Sequence, residues 1–181
     1  MARVLVLNGL SSVGKTTLAK AIQNASSNDF LHLSMDAFIA MTPDGREDDP
    51  CWFPVHRRKA GGQAVVSITS GPRGKELLAA MRRTVSHLAD SGFDIVVDEV
   101  CRAPEIADYR NRLSAHRVHF VKVEADLALI ERRERERGDR LIGLAREQAT
   151  HLHDGITYDQ TVDTGCCSPD ECARSILDQL S

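Results

Sequence analysis

The chain has 181 residues, which is enough for one well-buried core and short for two domains. Apolar residues make up 42% and charged residues 27%, and the formal net charge of −3 gives no global reason to expect a nucleic acid or an anionic membrane as partner. The apolar run at the start is too short for a signal-peptide core or a membrane span, so we expect a cytoplasmic protein.

The predicted elements begin with a strand, RVLVLNG at 3–9, that leads into a glycine-rich turn and a helix. The turn reads GLSSVGKT and fits the P-loop pattern G-x-x-x-x-G-K-[ST], whose backbone N–H groups hold phosphate oxygens. In this pattern the lysine reaches the β- and γ-phosphates and the last hydroxyl binds Mg²⁺. We therefore predict a nucleoside triphosphate site formed by Gly9, Ser11, Ser12, Val13, Gly14, Lys15, Thr16 and Thr17.

The second predicted strand, FLHLSMD at 30–36, ends in Asp36. Ligands bind at the carboxyl ends of strands in open α/β sheets, so this carboxylate is a candidate base for an acceptor hydroxyl. The alternative is that Asp36 caps a helix beginning at Ala37.

Residues 42–74 are rich in proline and glycine and contain the only tryptophan. We expect an irregular segment, either on the acceptor side of the site or as a surface insertion. Trp52, Phe53 and His56 are candidate acceptor contacts, although a core or surface role fits them equally.

A helix follows at 75–92, with apolar residues on one face and Gly92 at its C-terminal end. The next strand, FDIVVDEV at 93–100, ends in Asp98 and Glu99, either of which could serve a metal ion. A fourth strand is predicted at 117–125. Strands with consecutive apolar residues that alternate with helices indicate a single α/β domain over 1–181, a doubly wound parallel sheet with helices on both faces.

The run ERRERERGDR at 131–140 has alternating charge, which most often marks a solvated helix face. Gly138 interrupts it, and Arg137 and Arg140 flank the break. This arrangement also suits a short lid at about 133–145 that brings cations to the phosphates, with the other arginines on the surface. The last helix is predicted from a capping box at Ser168-Pro169-Asp170-Glu171.

The five cysteines are an odd number with two adjacent, a poor disulfide framework, and we interpret them as reduced thiols. A zinc site can be imagined from His151, His153, Cys166, Cys167 and Cys172, but the spacing matches no zinc pattern with two separated ligand pairs.

The remaining motifs narrow the class of P-loop protein. The guanine-reading N/T-K-x-D of GTPases is absent from the sequence. A water-activating role for Glu99 would suit an AAA-type ATPase, but 181 residues leave no room for the helical lid domain of such machines. A small-molecule kinase fits the size better.

Five stretches together resemble the chloramphenicol phosphotransferase family: N-G-x-S-S-x-G-K at 8–15, MDAF, IVVDEV, RGDR and HDGITYDQTVDT. In that family ATP phosphorylates the primary hydroxyl of chloramphenicol. The resemblance implies that Asp36 is the base and that Arg137 and Arg140 are lid arginines. Asp98 and Glu99 stand for the family's paired acids, and residues 42–74 depart from its pattern.

We therefore predict an ATP- and Mg²⁺-dependent O-phosphotransferase acting on a small-molecule hydroxyl, with an antibiotic of the chloramphenicol type as the acceptor. Lys15, Arg137, Arg140 and Mg²⁺ would stabilise the transferring phosphoryl group; Thr16 would bind the metal directly and Asp98 through a water. One alternative is a nucleotide or metabolite kinase whose HRRK at 56–59 clamps a phosphorylated acceptor. The other is a nucleotide-sensing switch. The sequence leaves open whether the chain forms a homo-oligomer.

Overall fold

Five parallel strands form the central sheet of the computed structural model, which describes residues 1–46, 48–138 and 141–180. The strands in chain order are β1 (Arg3–Asn8), β2 (Phe30–Ser34), β3 (Val55–Ala60), β4 (Gln63–Ile68), β5 (Asp94–Glu99), β6 (Arg117–Glu124) and β7 (Gln160–Asp163). The helices are α1 (Lys15–Ala25), α2 (Met35–Ile39), α3 (Pro72–Asp90), α4 (Ala103–Arg112), α5 (Leu127–Arg137), α6 (Leu144–Gln148) and α7 (Pro169–Asp178). The sheet order is β2-β5-β1-β6-β7, and β3 pairs only with β4 among the described strands.

The strand β1 shows why the sheet needs cover on both faces. Leu5 and Leu7 belong to one core with residues of α1 and α7, whereas Val4 and Val6 belong to a second core with residues of α3 and α4. Successive side chains of a strand point to opposite faces, so a consecutive apolar run must be buried twice. The predicted doubly wound α/β fold is confirmed.

The predicted strands and caps lie close to the observed ones. All four predicted strands are present as β1, β2, β5 and β6, while β7 was not predicted. The box that begins α7 has both of its hydrogen bonds: the Ser168 hydroxyl accepts the Glu171 N–H at 3.3 Å, and the Glu171 carboxylate accepts the Ser168 N–H at 2.8 Å. Gly92 follows α3 with a φ of 92°, as expected of a glycine after a helix.

Residues 42–74 are less irregular than the sequence predicted. They contain the antiparallel hairpin of β3 and β4 and the first turn of α3. Gly61 and Gly62 form its turn with φ of 56° and 79°, and a two-residue turn with positive φ at both positions matches the twist of a hairpin. The prolines and glycines outside the two strands made the whole segment look irregular, so the sequence did not indicate the hairpin.

The prediction that Asp36 ends the second strand was wrong by two residues. The strand β2 stops at Ser34, and Asp36 lies in the first turn of α2. The cap of α2 is Ser34, whose hydroxyl accepts the Ala37 N–H at 3.2 Å. The capping role that the sequence left open for Asp36 is therefore filled by another residue.

Within the three described ranges, no helix combines the length and the apolar character needed to cross a membrane.

Candidate active site

A cavity of about 540 Å³ lies at the carboxyl ends of β1, β2 and β5, the edge where open α/β sheets bind ligands. Its wall includes the turn after β1, the short helix α2, the connection that precedes α3, part of α3, the connection that follows β5, and the helix α6. Nine of the predicted site residues lie on this wall: Ser11, Ser12, Gly14, Lys15, Thr16, Thr17, Asp36, Asp98 and Arg137. Residues distant in sequence thus meet around one cavity.

The turn between β1 and α1 has the close backbone approaches that its glycines permit. A Cβ at Gly9 would lie 2.3 Å from the carbonyl oxygen of Val123, so only glycine fits there without a shift of backbone. Gly14 has a φ of 107° and precedes α1 directly. Ser12 has a φ of 62°, a left-handed conformation that is uncommon for a residue other than glycine. The turn therefore has the tight curvature that a phosphate-binding loop requires.

The Lys15 side chain folds back over this turn. Its Nζ donates to the carbonyl oxygens of Gly9 at 2.9 Å and Leu10 at 3.0 Å. The ammonium is buried and lies 3.9 Å from Oδ1 of Asp98. A cation is therefore held at the mouth of the loop, next to the backbone N–H groups that would face phosphate oxygens.

Thr16 and Asp98 form a pair beside Lys15. The Thr16 hydroxyl donates to Oδ2 of Asp98 at 2.5 Å, and Nε2 of His32 lies 3.8 Å from the same oxygen. Burial pushes the pKa of Asp98 upward, but the nearby His32 imidazole, the charge of Lys15 and the Thr16 hydroxyl outweigh it and hold the pKa below its usual value. An ionised carboxylate against a threonine hydroxyl is an oxygen donor set of the kind that suits Mg²⁺.

Glu99 has a different environment from its neighbour. Its side chain is 1% exposed, and its two oxygens accept from Arg82 Nη1 at 2.8 Å and from the Tyr109 hydroxyl at 2.5 Å. Burial raises the pKa of Glu99 despite the opposing charge of Arg82, and burial raises the pKa of Tyr109 well above its usual value. Glu99 thus ties β5 to α3 and α4 through buried hydrogen bonds.

Asp36 and Arg137 line the cavity from two different helices. Asp36 lies in α2, Arg137 is the last residue of α5, and both side chains are exposed. Gly138 ends α5 with a φ of 69°, which agrees with the predicted break. Arg140 lies outside the described residues.

Arg133 was expected on the surface and instead makes an internal contact. Its guanidinium donates to the carbonyl oxygens of Val13 at 3.1 Å and Thr164 at 2.9 Å. The Thr164 hydroxyl also donates to the Val13 carbonyl, at 2.5 Å. Arg133 therefore joins α5 to the loop before α1 and to the connection after β7. Arg132 and Arg135 are exposed, as predicted.

A second set of contacts that the sequence did not predict centres on Tyr158. The amide of Asn8 donates to the Tyr158 hydroxyl at 2.7 Å and to the Cys101 carbonyl at 2.8 Å, and it accepts the Cys101 N–H at 2.8 Å. The Tyr158 hydroxyl also lies 2.7 Å from Nδ1 of His153. Burial raises the pKa of Tyr158 to about 12, so it stays a neutral phenol. The buried Asn8 amide thus fixes the end of β1 to the connection that follows β5.

Of the three candidate acceptor contacts, one lines the cavity and two do not. Phe53 is buried and lines the cavity. Trp52 packs instead against the Arg73 guanidinium at 5.7 Å, and His56 lies 2.9 Å from the Thr69 hydroxyl, on the exposed strand β3. The four residues His56, Arg57, Arg58 and Lys59 are all exposed and do not line the cavity, so the structure gives no support to HRRK as a clamp for a phosphorylated acceptor.

Comparisons with known proteins identify the family to which the chain belongs. Residues 2–181 match the profile of the family described as "Chloramphenicol phosphotransferase-like protein". A Mycobacterium tuberculosis protein named as a candidate O-phosphotransferase is 29% identical over 180 residues, which cover 96% of this chain and 80% of that protein. The two are therefore similar over nearly the whole of this chain.

Solved structures show the same fold. The Mycobacterium tuberculosis APS kinase CysC, solved with AMPPNP and APS, has a TM-score of 0.68 at 18% identity, with 99% of this chain and 97% of that chain covered. A gluconokinase from Sinorhizobium meliloti has a TM-score of 0.66 at 17% identity over 98% of this chain and 90% of that chain. The tunicamycin resistance protein of Deinococcus radiodurans has a TM-score of 0.65 at 14% identity over 100% and 96%.

Proposed function

Because the chain belongs to the chloramphenicol phosphotransferase-like family, a family of P-loop phosphotransferases, we propose that it transfers the γ-phosphoryl group of ATP to a hydroxyl of a small molecule. One observation carries the proposal: the phosphate loop and the carboxylate of Asp36 line the same cavity. A phosphoryl donor and a base for the acceptor must meet in one space for direct transfer.

The reaction makes one bond and breaks another. The acceptor oxygen attacks the γ-phosphorus, the bond from that phosphorus to the bridging oxygen breaks, and ADP leaves. Asp36 accepts the hydroxyl proton as the attack proceeds. Its side chain is exposed and lines the cavity, so it lies within reach of an acceptor bound there.

Two cations of the chain stabilise the charge on the transferring group. Lys15 leaves the carbonyls of Gly9 and Leu10 for the β- and γ-phosphates, and Arg137 approaches from the end of α5. We propose that Arg140 assists from the lid, 133–145.

Mg²⁺ is implied by the family and fits the residues present. Thr16 and the ionised Asp98 would hold it, and bound there it would neutralise phosphate charge. Glu99 is not assigned to the metal, because both of its oxygens already accept hydrogen bonds from buried groups.

Chloramphenicol is the first acceptor to test, since the family is named for it. We propose a cytoplasmic location, where ATP is available. The experiment incubates the protein with Mg²⁺, ATP and chloramphenicol, then with other antibiotics, sugars and nucleosides. Phosphorylated acceptor is detected by mass spectrometry and ADP release by a coupled assay. We expect one acceptor to gain a phosphoryl group and to stimulate ADP release, with Lys15→Ala as the inactive control. ADP release that no acceptor stimulates would contradict the proposal and favour a nucleotide-sensing switch.

A further inference from the structure

Gln148 joins α6 to the phosphate loop through one hydrogen bond. Its Oε1 accepts the backbone N–H of Ser11 at 2.7 Å, and both residues line the cavity. A backbone N–H only donates, so the amide oxygen is the atom that faces the loop. An N–H group of the kind that binds phosphate therefore has a side-chain acceptor in this structure.

The position of Ser11 in the loop tells which phosphate is concerned. Ser11 follows Leu10, whose carbonyl oxygen accepts Nζ of Lys15 at 3.0 Å. The lysine of a P-loop serves the β- and γ-phosphates. Gly14, in contrast, directly precedes α1 at the other end of the loop. The Ser11 N–H therefore lies on the side of the loop that the β- and γ-phosphates would occupy.

The backbone that carries Gln148 is fixed by several contacts. The buried carboxylate of Glu134 accepts the N–H groups of Gly143 at 3.0 Å and Ala145 at 2.8 Å, at the start of α6. The Gly143 carbonyl accepts the Val66 N–H from the hairpin at 3.3 Å. The start of the helix that carries Gln148 is thus anchored to α5 and to β4.

We propose that Gln148 reads the γ-phosphate of the bound nucleotide. In this structure its amide oxygen accepts the Ser11 N–H; with a triphosphate bound, a γ-phosphate oxygen takes that N–H and the amide turns to donate from Nε2. An amide carries an acceptor and a donor on one planar group, so a rotation exchanges them. A diphosphate ends before this point and leaves the amide on Ser11.

The inference rests on the proposed function only in requiring that the loop binds a nucleotide. Its test is a binding measurement without acceptor. Calorimetry with Mg²⁺ gives the affinities for ADP and for the non-hydrolysable triphosphate AMPPNP, in the wild type, Gln148→Ala and Gln148→Glu. The matched control is Gln23→Ala, which removes an amide that donates to the Phe30 carbonyl at 2.7 Å, away from the cavity.

We expect Gln148→Ala to lower the ratio of AMPPNP to ADP affinity by about tenfold, the scale of one hydrogen bond to a charged group. Gln148→Glu should lower the ratio further, because its carboxylate repels the γ-phosphate, while Gln23→Ala should leave it unchanged.

An unchanged ratio in both Gln148 variants would overturn the inference and leave phosphotransfer standing. If the ratio is unchanged because the ADP and AMPPNP affinities fall equally, Gln148 has a structural role instead. A wild-type protein that binds neither nucleotide would overturn the proposed function itself.

Discussion

Asp98 and Glu99 are adjacent carboxylates with opposite surroundings. Asp98 faces Lys15 and the Thr16 hydroxyl, which favour its ionised form and hold its pKa down. Glu99 points to the other face of β5, where burial raises its pKa even though Arg82 opposes the shift. The alternation of side chains along a strand separates the two, although both line the cavity. We propose that Asp98 is the one that serves the phosphates.

The difference predicts separate effects of two isosteric changes. Asp98→Asn should weaken Mg²⁺-dependent nucleotide binding, because the ionised oxygen opposite Thr16 is lost. Glu99→Gln should leave the Mg²⁺ dependence near that of the wild type, because the Glu99 carboxylate contacts Arg82 and Tyr109 and not the Thr16 hydroxyl. Magnesium titrations of both variants check this. A larger shift in Mg²⁺ dependence for Glu99→Gln than for Asp98→Asn would reverse the assignment.

The residues of the phosphate loop were predictable because their spacing is local in sequence. The contacts of Gln148 and Arg133 were not, since their partners Ser11 and Val13 lie 137 and 120 positions away. A polar side chain in a charged helix gives no sign of which distant backbone group it will meet. Tyr158 lay in a motif that the resemblance picked out, but the sequence did not show its partner Asn8.

Three elements meet above the phosphate loop: α5, α6 and the hairpin. Glu134 and Glu131 of α5 bind the start and the Arg146 side chain of α6, and Gly143 joins α6 to β4. The prediction of a lid at 133–145 covers this junction and remains a proposal. The hairpin of β3 and β4 could not be predicted from the sequence. A two-stranded element needs neighbouring elements to be stable, and the alternation of apolar and polar residues in its strands is short.

The lid proposal gives a prediction for α5. Arg137→Ala should lower kcat by at least tenfold with a smaller change in ATP affinity, because its charge is needed most as the phosphoryl group moves. The matched control is Arg132→Ala on the same helix, where the exposed guanidinium lies 3.6 Å from Glu136. Steady-state kinetics and ATP binding of both variants measure this. A loss confined to ATP affinity would make Arg137 a ground-state binding residue, and equal kinetics in the two variants would place it on a solvated helix face.

A glycine pair tests the junction with the hairpin. Gly143 has a φ of 94°, and a Cβ there would lie 2.4 Å from the Ala64 carbonyl oxygen; Gly92 has a φ of 92° with, in the part of the chain that the structure describes, nothing within 4 Å. Gly92→Ala should therefore cost only the backbone strain, about 1–2 kcal/mol, and Gly143→Ala about 1–3 kcal/mol more. Equal costs in urea unfolding would mean that the close approach of α6 to β4 does not contribute.

At the scale of the whole molecule, the two ends of the parallel strands differ. The carboxyl ends surround the cavity, and the amino ends of β1 and β5 are joined by contacts that stabilise the fold. The alternation of apolar strands and amphipathic helices was enough to predict this architecture, because each strand must be covered on both faces. At the edge away from the cavity, the carboxylate of Asp94 accepts the Arg3 backbone N–H at 2.7 Å and Nε of its guanidinium at 3.0 Å. These bonds hold the first residues of β1 and β5 together.

The Asp94 contact predicts a pH dependence of stability. Burial opposes ionisation, but the hydrogen bonds and charge of Arg3 outweigh it and lower the pKa of Asp94. A carboxyl whose folded-state pKa is lowered contributes stability above its unfolded pKa and loses it as the pH falls through the folded value. Asp94→Asn should thus lower the free energy of unfolding by about 1–2 kcal/mol at pH 7, with the difference shrinking below pH about 4. The same difference at pH 7 and pH 3 would contradict this, as would a loss of catalytic rate at pH 7.

The measurement that tests the central claim most directly is single-turnover phosphoryl transfer by Asp36→Asn, with ATP, Mg²⁺ and an accepted hydroxyl substrate at saturation. Asparagine keeps the size of the side chain and cannot take the proton as a carboxylate does. We predict a fall in transfer rate of about a hundredfold or more, with ATP affinity and thermal unfolding close to those of the wild type. A variant that transfers the phosphoryl group at the wild-type rate would contradict the account, because the base would then lie elsewhere in the cavity.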